Sequence, residues 1–429
     1  MPSRGLGYDE AVSSRLSRSW RELRGFPGQF WVLTLGTFVY VAAAALAFPY
    51  EGIYMHRYLG ASMSVVGVVF GLVPLAVMPV QFLGGQLTDR IGRKAVIVLS
   101  VFMGVVWFFG FAYVTAVWQV AILVAIESAF GWPLFQTACN AMIADLLPPE
   151  QRSEAFSVNR VAMNVGVVFG PAAAGLALGW GVSFRQLFLA AAAGCGLMVV
   201  MMLVWIRESR PESALKPHLH TDAAGRSGYR IVLHDRAFIV FALVAVLPLL
   251  CFGNFGSIFS VYITSYLDVP YGEWGALLAL NALVVAIVQY PLVRATRFRN
   301  RMVLLAISSA LIGVGIGGSA FAFGLASLVV LIVVMSLGET LLAPVAAAEV
   351  SDMAPEAIRG RYMGVWTIFW NGGASLGPAF GGWAMDALGG REAFAALLVV
   401  GLSGAGLFLL LARGWRRRAE VRRAQQAAT

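Results

Sequence analysis

Long apolar runs, separated by short polar turns, follow one another along almost the whole chain. A helix needs roughly 20 mostly apolar residues to cross the hydrocarbon core of a bilayer. The pattern predicts twelve membrane-spanning helices, at 30–57, 62–84, 95–116, 118–146, 155–179, 184–207, 237–267, 272–294, 302–322, 326–352, 361–387 and 391–413. We therefore expect an all-α integral membrane protein.

The second half of the chain repeats the first half. Residues 131–175 recur without a gap at 338–382, an offset of 207 that superimposes Gly131 on Gly338. Other identical pairs are Asp145 and Asp352, Pro148 and Pro355, Arg152 and Arg359, Asn164 and Asn371, and, at an offset of 208, Tyr54 and Tyr262, and Gln81 and Gln289. Such a duplication in an apolar chain is typical of transporters in which two pseudo-symmetric bundles enclose the substrate site.

Polar segments divide the chain into five parts. An arginine-rich arm (1–29) precedes a first six-helix bundle (30–207), and a linker (208–236) joins it to a second six-helix bundle (237–413). A basic tail (414–429) follows. Because the linker is rich in Pro, Ser and Gly, we expect it to be a connection rather than a domain.

Composition and charge agree with a membrane protein and argue against a nucleic-acid partner. Hydrophobic residues make up 59% of the 429 residues and charged residues only 12%, against roughly 25% charged in soluble domains. The net charge is +9, but the positive residues cluster in the arm, the tail and alternate turns. This asymmetry predicts a multi-pass protein of the inner or plasma membrane with both termini in the cytoplasm.

Four carboxylates lie within the predicted helices or at their ends. A charge at the centre of a membrane helix costs on the order of 2.5–3.5 kcal/mol, so its presence suggests a function. Glu339 lies at the middle of its helix, Glu127 somewhat outside the middle, Glu51 toward an outer end and Asp145 at a cytoplasmic end. Glu127 and Asp145 are five helical turns apart, which predicts a shared face. We interpret all four as candidates for proton coupling or substrate binding, with Glu339 first. Asp145 could instead form a helix-end salt bridge with Arg152, and Glu51 could reach outer water.

Aromatic residues are expected around a central cavity. The predicted cavity aromatics are Tyr40, Trp132, Phe255, Tyr262, Tyr290 and Trp370. They suit a broad apolar pocket for amphipathic cations, although for any one of them helix packing or lipid contact is the alternative. No arginine or histidine is predicted at the middle of a helix. We therefore expect carboxylates to carry any proton, and we do not expect a carrier of organic anions or phosphate.

The turn after the second predicted helix carries a motif. Its residues are Gly85-x-Leu87-x-Asp89-Arg90-x-Gly92-Arg93-Lys94. In this place the spacing resembles the signature loop of the major facilitator superfamily, which implies the major facilitator fold for nearly the whole chain. The resemblance also implies that Asp89 caps the helix that starts near Arg361, where the helix dipole favours a carboxylate. An ordinary positive-inside turn is the alternative. The second copy of this loop, 294–301, has no aspartate, so the latch is expected on one side only.

Two segments, 139–152 and 337–364, resemble the drug:proton antiporter branch of that superfamily, of the LmrP and MdtH type. The resemblance implies that Glu339 and Asp145 take part in cation binding and protonation. Many antiporters of this kind carry an arginine in the fourth helix, where this chain has Glu127. Gate-helix positions with a spacing that lets helices approach closely are Gly166, Gly170, Pro171, Gly373, Gly377 and Pro378.

We expect a secondary active transporter that exports lipophilic or cationic drugs by proton antiport and alternating access. One alternative is an exporter or flippase of a lipid-like or endogenous metabolite. Another is a non-transporting membrane receptor or sensor, although arm, linker and tail leave little room for a signalling domain. We expect no enzymatic activity, no metal and no cofactor beyond a proton gradient. The expected partners are a lipophilic small-molecule substrate, protons and membrane lipids, with no nucleic acid and with the chain acting as a monomer.

Overall fold

The computed structural model describes residues 25–81, 84–209, 225–296 and 298–427, and in these ranges it contains helices and no strands. The helices of the first half are α1 (Gly28–Arg57), α2 (Met63–Gly67, a π-helical turn Val68–Leu72, and Val73–Gln81), α3 (Gly84–Ile91), α4 (Arg93–Phe111), α5 (Val117–Phe130), α6 (Trp132–Leu146), α7 (Pro149–Gly179) and α8 (Phe184–Trp205).

The second half has a matching series. Its helices are α9 (Gly225–His234), α10 (Arg236–Gly253), α11 (Ile258–Val261, then π-helical Tyr262–Tyr266), α12 (Tyr271–Thr296), α13 (Arg301–Ile312, then π-helical Gly313–Gly317 and 3-10 Gly318–Phe321), α14 (Gly324–Met353), a 3-10 turn Glu356–Ile358, α15 (Arg359–Leu388) and α16 (Gly390–Ala427).

Each predicted apolar run has a helical counterpart. Within the described ranges, ten helical segments are long and apolar enough to cross a membrane, and two of them combine two helices, α5 with α6 and α10 with α11. The two other predicted spans correspond to α2, whose apolar part Met63–Pro79 is shorter, and to α15, which has 30 residues but many glycines and polar groups. The prediction of an all-α membrane protein is confirmed.

The fourth predicted helix is broken in the structure. α5 ends at Phe130, and Gly131 has a non-helical conformation (φ −84°, ψ −120°) before α6 begins at Trp132. Pro133 suits the first turn of a new helix because it has no backbone N–H to leave unpaired. Glu127 and Asp145 therefore do not lie on one continuous helix, and the predicted shared face is wrong.

The segments outside the bundles are only partly described. Within the predicted linker, α9 is a ten-residue helix (Gly225–His234), so the linker is more than a bare connection. Residues 1–24 of the predicted arm and 210–224 of the predicted linker lie outside the described residues. The backbone of the predicted tail continues α16 as far as Ala427.

The repeated glycines hold helices together inside each bundle. We call the end of the bundles at which α1 begins the proximal end and the opposite end the distal end. A Cβ on Gly166 or Gly170 would meet the backbone of α1, and one on Gly373 or Gly377 would meet α10. Close backbone approach of this kind is what small residues permit in membrane helices.

The two bundles touch each other at the distal end. A Cβ on Gly67 in α2 would collide with the carbonyl oxygen of Pro378 in α15, and one on Gly275 in α12 with that of Pro171 in α7. The two prolines of the predicted gate helices thus lie at contacts between the halves, where α2 meets α15 and α7 meets α12.

Candidate functional site

A cavity of about 270 Å³ lies between the two bundles. Its walls come from α7 of the first half and from α10, α12, α14 and α15 of the second half. The charged and amide side chains on these walls are Arg160, Asn164, Asn281, Gln289 and Glu339. The volume is close to the lower limit of pockets that hold drug-sized ligands.

Glu339 lies on the cavity wall, at the position the sequence predicted for the principal carboxylate. The Nδ2 atom of Asn281 in α12 donates to Oε2 of Glu339 at 3.0 Å and to the Ser336 hydroxyl at 2.9 Å. Helix α13 contacts α14 next to Glu339, where the Ser308 hydroxyl donates to the carbonyl oxygen of Gly338 at 2.7 Å. The carboxylate is thus oriented by a neighbouring helix while it faces the cavity.

Arg160 is a cavity residue that the sequence reasoning missed. It lies on α7 and is exposed to the cavity, with Asn164 one turn further along the same helix. The predicted helix began at residue 155, which left Arg160 close to its cytoplasmic end. The real α7 begins at Pro149, so Arg160 lies further from the start of its helix than expected. The Pro148-Pro149 pair was the available signal, since proline favours the first turn of a helix.

The aromatic lining differs from the prediction. Trp370 lines the cavity as predicted, together with Phe252. Tyr40 is buried in the first bundle against Trp132 and Phe135, and Tyr262 is buried in the second bundle, where it stacks on Phe394 with 4.0 Å between ring centroids. For these two tyrosines the prediction is wrong, and packing inside a bundle is the reason.

The three other predicted aromatics are not part of this cavity wall, although Phe255 stacks on Phe252, which is. Trp132 packs on Phe135, Phe255 packs on Trp274, and Tyr290 is 71% exposed. The spacing of residues along a helix shows which of them share a face. When other helices surround that helix, the spacing does not show which face points to the cavity. Sequence alone therefore could not separate these rings from Trp370.

Glu127 and Glu51 lie away from the cavity lining. An Oε1 atom of Glu127 accepts from the backbone N–H of Trp132 at 3.2 Å, so its carboxylate caps the start of α6 after the break at Gly131. Glu51 is fully buried, and the indole N–H of Trp107 donates to one of its carboxylate oxygens. Its second oxygen has no hydrogen-bond partner among the described residues. The alternative that Glu51 reaches outer water is wrong.

Asp145 belongs to a charged corner at the proximal end. Its carboxylate accepts from Arg93 Nε at 3.1 Å and from the Ser209 hydroxyl at 3.3 Å. The expected helix-end salt bridge therefore exists, but with Arg93 of the signature loop, since Arg152 donates instead to the carbonyl oxygen of Leu147. This geometry favours a structural role for Asp145 over direct contact with a ligand in the cavity.

The signature loop contains the short helix α3 and a sharp turn. Gly85 is helical, and Gly92 has φ of +101°, a conformation that favours glycine. The Glu208 carboxylate accepts from the backbone N–H groups of Arg93 and Lys94 at 2.9 and 3.1 Å. Arg90 is exposed. The side chain of Asp89 lies outside the described residues, so the predicted latch stays a prediction.

Hydrogen bonds between the halves close the distal end. Asp386 at the end of α15 accepts from the backbone N–H groups of Met63 and Ser64 at 3.1 and 2.7 Å, which caps the start of α2. Arg57 at the end of α1 donates to the Thr264 carbonyl oxygen at 2.6 Å and to the Ser265 hydroxyl at 2.9 Å. A carboxylate on a helix N-terminus of the other bundle is the arrangement expected for Asp89, and it occurs here at the distal end.

The sequence of the chain is similar to those of known membrane transporters. The family model of the Major Facilitator Superfamily matches residues 33–269 and 242–428. The transporter YqjV of Bacillus subtilis, described as an uncharacterized MFS-type transporter, is 26% identical over 91% of this chain and 94% of its own length. The multidrug resistance protein MdtH of Cronobacter sakazakii is 26% identical over 90% of this chain and 93% of its own. A Na(+), Li(+), K(+)/H(+) antiporter of Planococcus maritimus is 25% identical over 81% and 87%.

Solved structures share the fold at much lower sequence identity. A point mutant of the nucleoside transporter NupG covers 91% of this chain and 99% of its own, with a TM-score of 0.74 and 16% identity. A POT family transporter in complex with a thioalcohol-conjugated peptide has a TM-score of 0.73 at 15% identity, with coverages of 91% and 99%. These likenesses concern the fold alone.

Proposed function

The chain belongs to the Major Facilitator Superfamily, and from this premise we propose that it exports lipophilic, positively charged compounds in exchange for protons. As a member of that family it is a multi-pass membrane transporter and not an enzyme. The observation that carries the proposal is the position of Glu339, a carboxylate on the wall of a cavity between the two bundles. Its hydrogen bond from Asn281 keeps it directed toward that cavity.

Exchange is possible because a proton and a substrate can bind the same carboxylate one after the other. A carboxylate in a membrane cavity is costly unless it holds a proton or faces a positive charge. A cationic substrate and a proton therefore compete for Glu339. In the conformation with a closed distal end, Glu339 would exchange its proton for a substrate molecule that arrives from the cytoplasm on the proximal side.

The positions of positive residues support the assignment of the proximal end to the cytoplasm. Arg90, Arg152, Arg294 and Arg359 lie near the proximal turns, as the positive-inside rule requires for that orientation. When the distal contacts of Asp386 open, the same carboxylate would face the outside, bind a proton and release the substrate.

The cavity walls suit an amphipathic ligand. Phe252 and Trp370 offer flat apolar faces, which can hold a hydrophobic cation by stacking and cation–π attraction. Among the relatives, MdtH is named a multidrug resistance protein and another relative is named a cation/H(+) antiporter. The first name agrees with the export of drugs, and the second agrees with exchange for protons.

An endogenous amphipathic metabolite is the second candidate substrate. The observation that favours it is the polar share of the lining, which includes Asn164 and Gln289. A cavity for purely hydrophobic drugs would need fewer amide groups, because each buried amide without a partner costs about 1–3 kcal/mol.

The test is transport of ethidium by the purified protein in proteoliposomes with an imposed pH gradient. We expect gradient-driven movement of ethidium by the wild type and by Glu154→Gln, a matched control in which an exposed glutamate of α7 is neutralised. We expect Glu339→Gln to lose the response to the gradient. Equal gradient-driven transport by Glu339→Gln and the wild type would contradict the proposal.

A further inference from the structure

Arg160 is a positive charge in the same cavity that the proposed cation site occupies. Its helix α7 packs against α12 of the other half, so this side chain lies where the two bundles face each other. Among the described residues, no carboxylate forms an ion pair with its guanidinium, whereas Arg93 and Arg301 are both paired with acids. Arg160 is therefore available to a ligand.

Arg160 differs from an ordinary positive residue of the membrane surface by its place on the cavity wall. Arg160 lies 11 residues after Pro149, the first residue of α7, which corresponds to about 16 Å along a helix. Arginines that only mark the cytoplasmic side lie at helix ends and turns, as Arg152 does at the start of the same helix. An arginine that lies on the wall of a membrane cavity without a paired carboxylate suggests a functional role.

Arg160 and Glu339 present opposite charges from opposite bundles. Glu339 lies 14 residues before Met353, the last residue of α14, which places it about 21 Å from the proximal end of that helix. Because both residues line the same cavity, one ligand can reach both charges. Asn164 lies beside Arg160 and Asn281 beside Glu339, so each charge has an amide neighbour.

We propose that the natural substrate is an amphipathic zwitterion, whose anionic group binds Arg160 and whose cationic group binds Glu339. This inference rests on the proposed function and adds the second charge to it. Guanidinium binds a carboxylate or phosphate with two parallel hydrogen bonds, and Asn164 can donate a further one from the next turn. The apolar part of the substrate lies against Phe252 and Trp370.

A zwitterion changes the electrical balance of the exchange. When one proton enters for each monovalent cation that leaves, no net charge crosses the membrane. When one proton enters for each zwitterion that leaves, one positive charge moves inward. A membrane potential, negative inside, then assists export of the zwitterion only. For one charge and 100 mV, the limiting concentration ratio changes about 50-fold.

The experiment compares norfloxacin, a zwitterion near neutral pH, with ethidium, a permanent cation. Both are measured in proteoliposomes that contain the full chain, under the same pH gradient. We expect Arg160→Gln to lower norfloxacin transport about 10- to 100-fold, the usual effect of losing a charge-assisted hydrogen bond. Ethidium transport by the same variant should be at least that of the wild type, because removal of a positive charge from the cavity does not weaken the binding of a cation. Retained ethidium transport also shows that the variant folds. Arg160→Lys should recover part of the norfloxacin transport, because it keeps the charge but loses the bidentate geometry.

The outcomes separate this inference from the proposed function. Unchanged norfloxacin transport by Arg160→Gln, or an equal loss of both compounds, would overturn the role of Arg160 as an anion site. If the wild type moves ethidium with the gradient but not norfloxacin, the zwitterion inference fails while proton-driven export stands. If the wild type moves neither compound, the proposed function fails, and the inference fails with it.

Discussion

Removal of the Asp386 carboxylate should open the distal end of the transporter. Asp386 accepts two backbone N–H groups at the start of α2, at 3.1 and 2.7 Å, and these contacts join the two halves. Loss of a capping side chain costs about 0.5–2 kcal/mol. Because Asp386 is exposed, we take a value of about 1 kcal/mol for Asp386→Ala.

The consequence is a change in population. The two hydrogen bonds exist only while the distal end is closed, so their whole loss falls on that conformation. A difference of about 1 kcal/mol corresponds to about a fivefold change in an equilibrium. The distal-open population of Asp386→Ala should therefore rise about fivefold over the wild type.

The assay is a distance measurement between spin labels on two distal turns. Thr115→Cys and Phe323→Cys lie at equivalent places in the two halves, and both residues are exposed. The three native cysteines are buried and would be replaced by alanine. Electron–electron double resonance then reports the fraction of molecules with a long inter-label distance.

A matched control is Glu392→Ala, which removes an exposed carboxylate from the first turn of α16 at the same end. This control should leave the distance distribution unchanged. If Asp386→Ala also leaves it unchanged, the cap on α2 does not hold the distal end closed, and the reasoning is refuted.

Three further predictions concern single contacts. Asn281→Leu removes the donor to the cavity carboxylate and should reduce ethidium transport about tenfold, as for a lost hydrogen bond to a charged group; an unchanged rate would mean that the carboxylate needs no orientation. Asp145→Asn breaks the ion pair with Arg93, in which the Asp145 side chain is 19% exposed and the Arg93 side chain is 9% exposed. The substitution should lower the free energy of unfolding by about 2 kcal/mol. Denaturant unfolding measures this change. If the losses in unfolding free energy of Asp145→Asn and Arg93→Gln simply add in the double variant, the two side chains do not interact and the prediction is contradicted. Gly67→Ala places a methyl group against a carbonyl oxygen of α15 and should increase the distal-open fraction in the same spin-label assay. Gly364→Ala, which meets no atom within 4 Å, should not.

The sequence predicted the fold well because its signals extend over many residues. Twelve apolar runs and a duplication of 45 aligned residues, 131–175 on 338–382, do not depend on any single side chain. The fine structure of the helices was less accessible. The break at Gly131 and the π-helical turns depend on local packing, which apolar runs do not record.

The candidate site was predicted only in part, for a physical reason. Glu339 stood out because a mid-membrane carboxylate is costly wherever it points. Arg160 was overlooked, because the apolar run begins six residues after the helix itself starts at Pro149, which left this arginine near the end of the predicted helix. Tyr262 and Asp386 show the same limit: the direction of a side chain toward cavity, core or partner bundle is a property of the assembled helices.

The measurement that tests the central claim most directly is proton release when substrate binds. Purified protein in weakly buffered detergent solution is mixed with ethidium, and a pH indicator records the protons released per cation bound. We predict about one proton per ethidium for the wild type, since a single carboxylate exchanges one for the other, and none for Glu339→Gln. Equal release by the variant, or ethidium binding to the wild type without release, would contradict the exchange at Glu339.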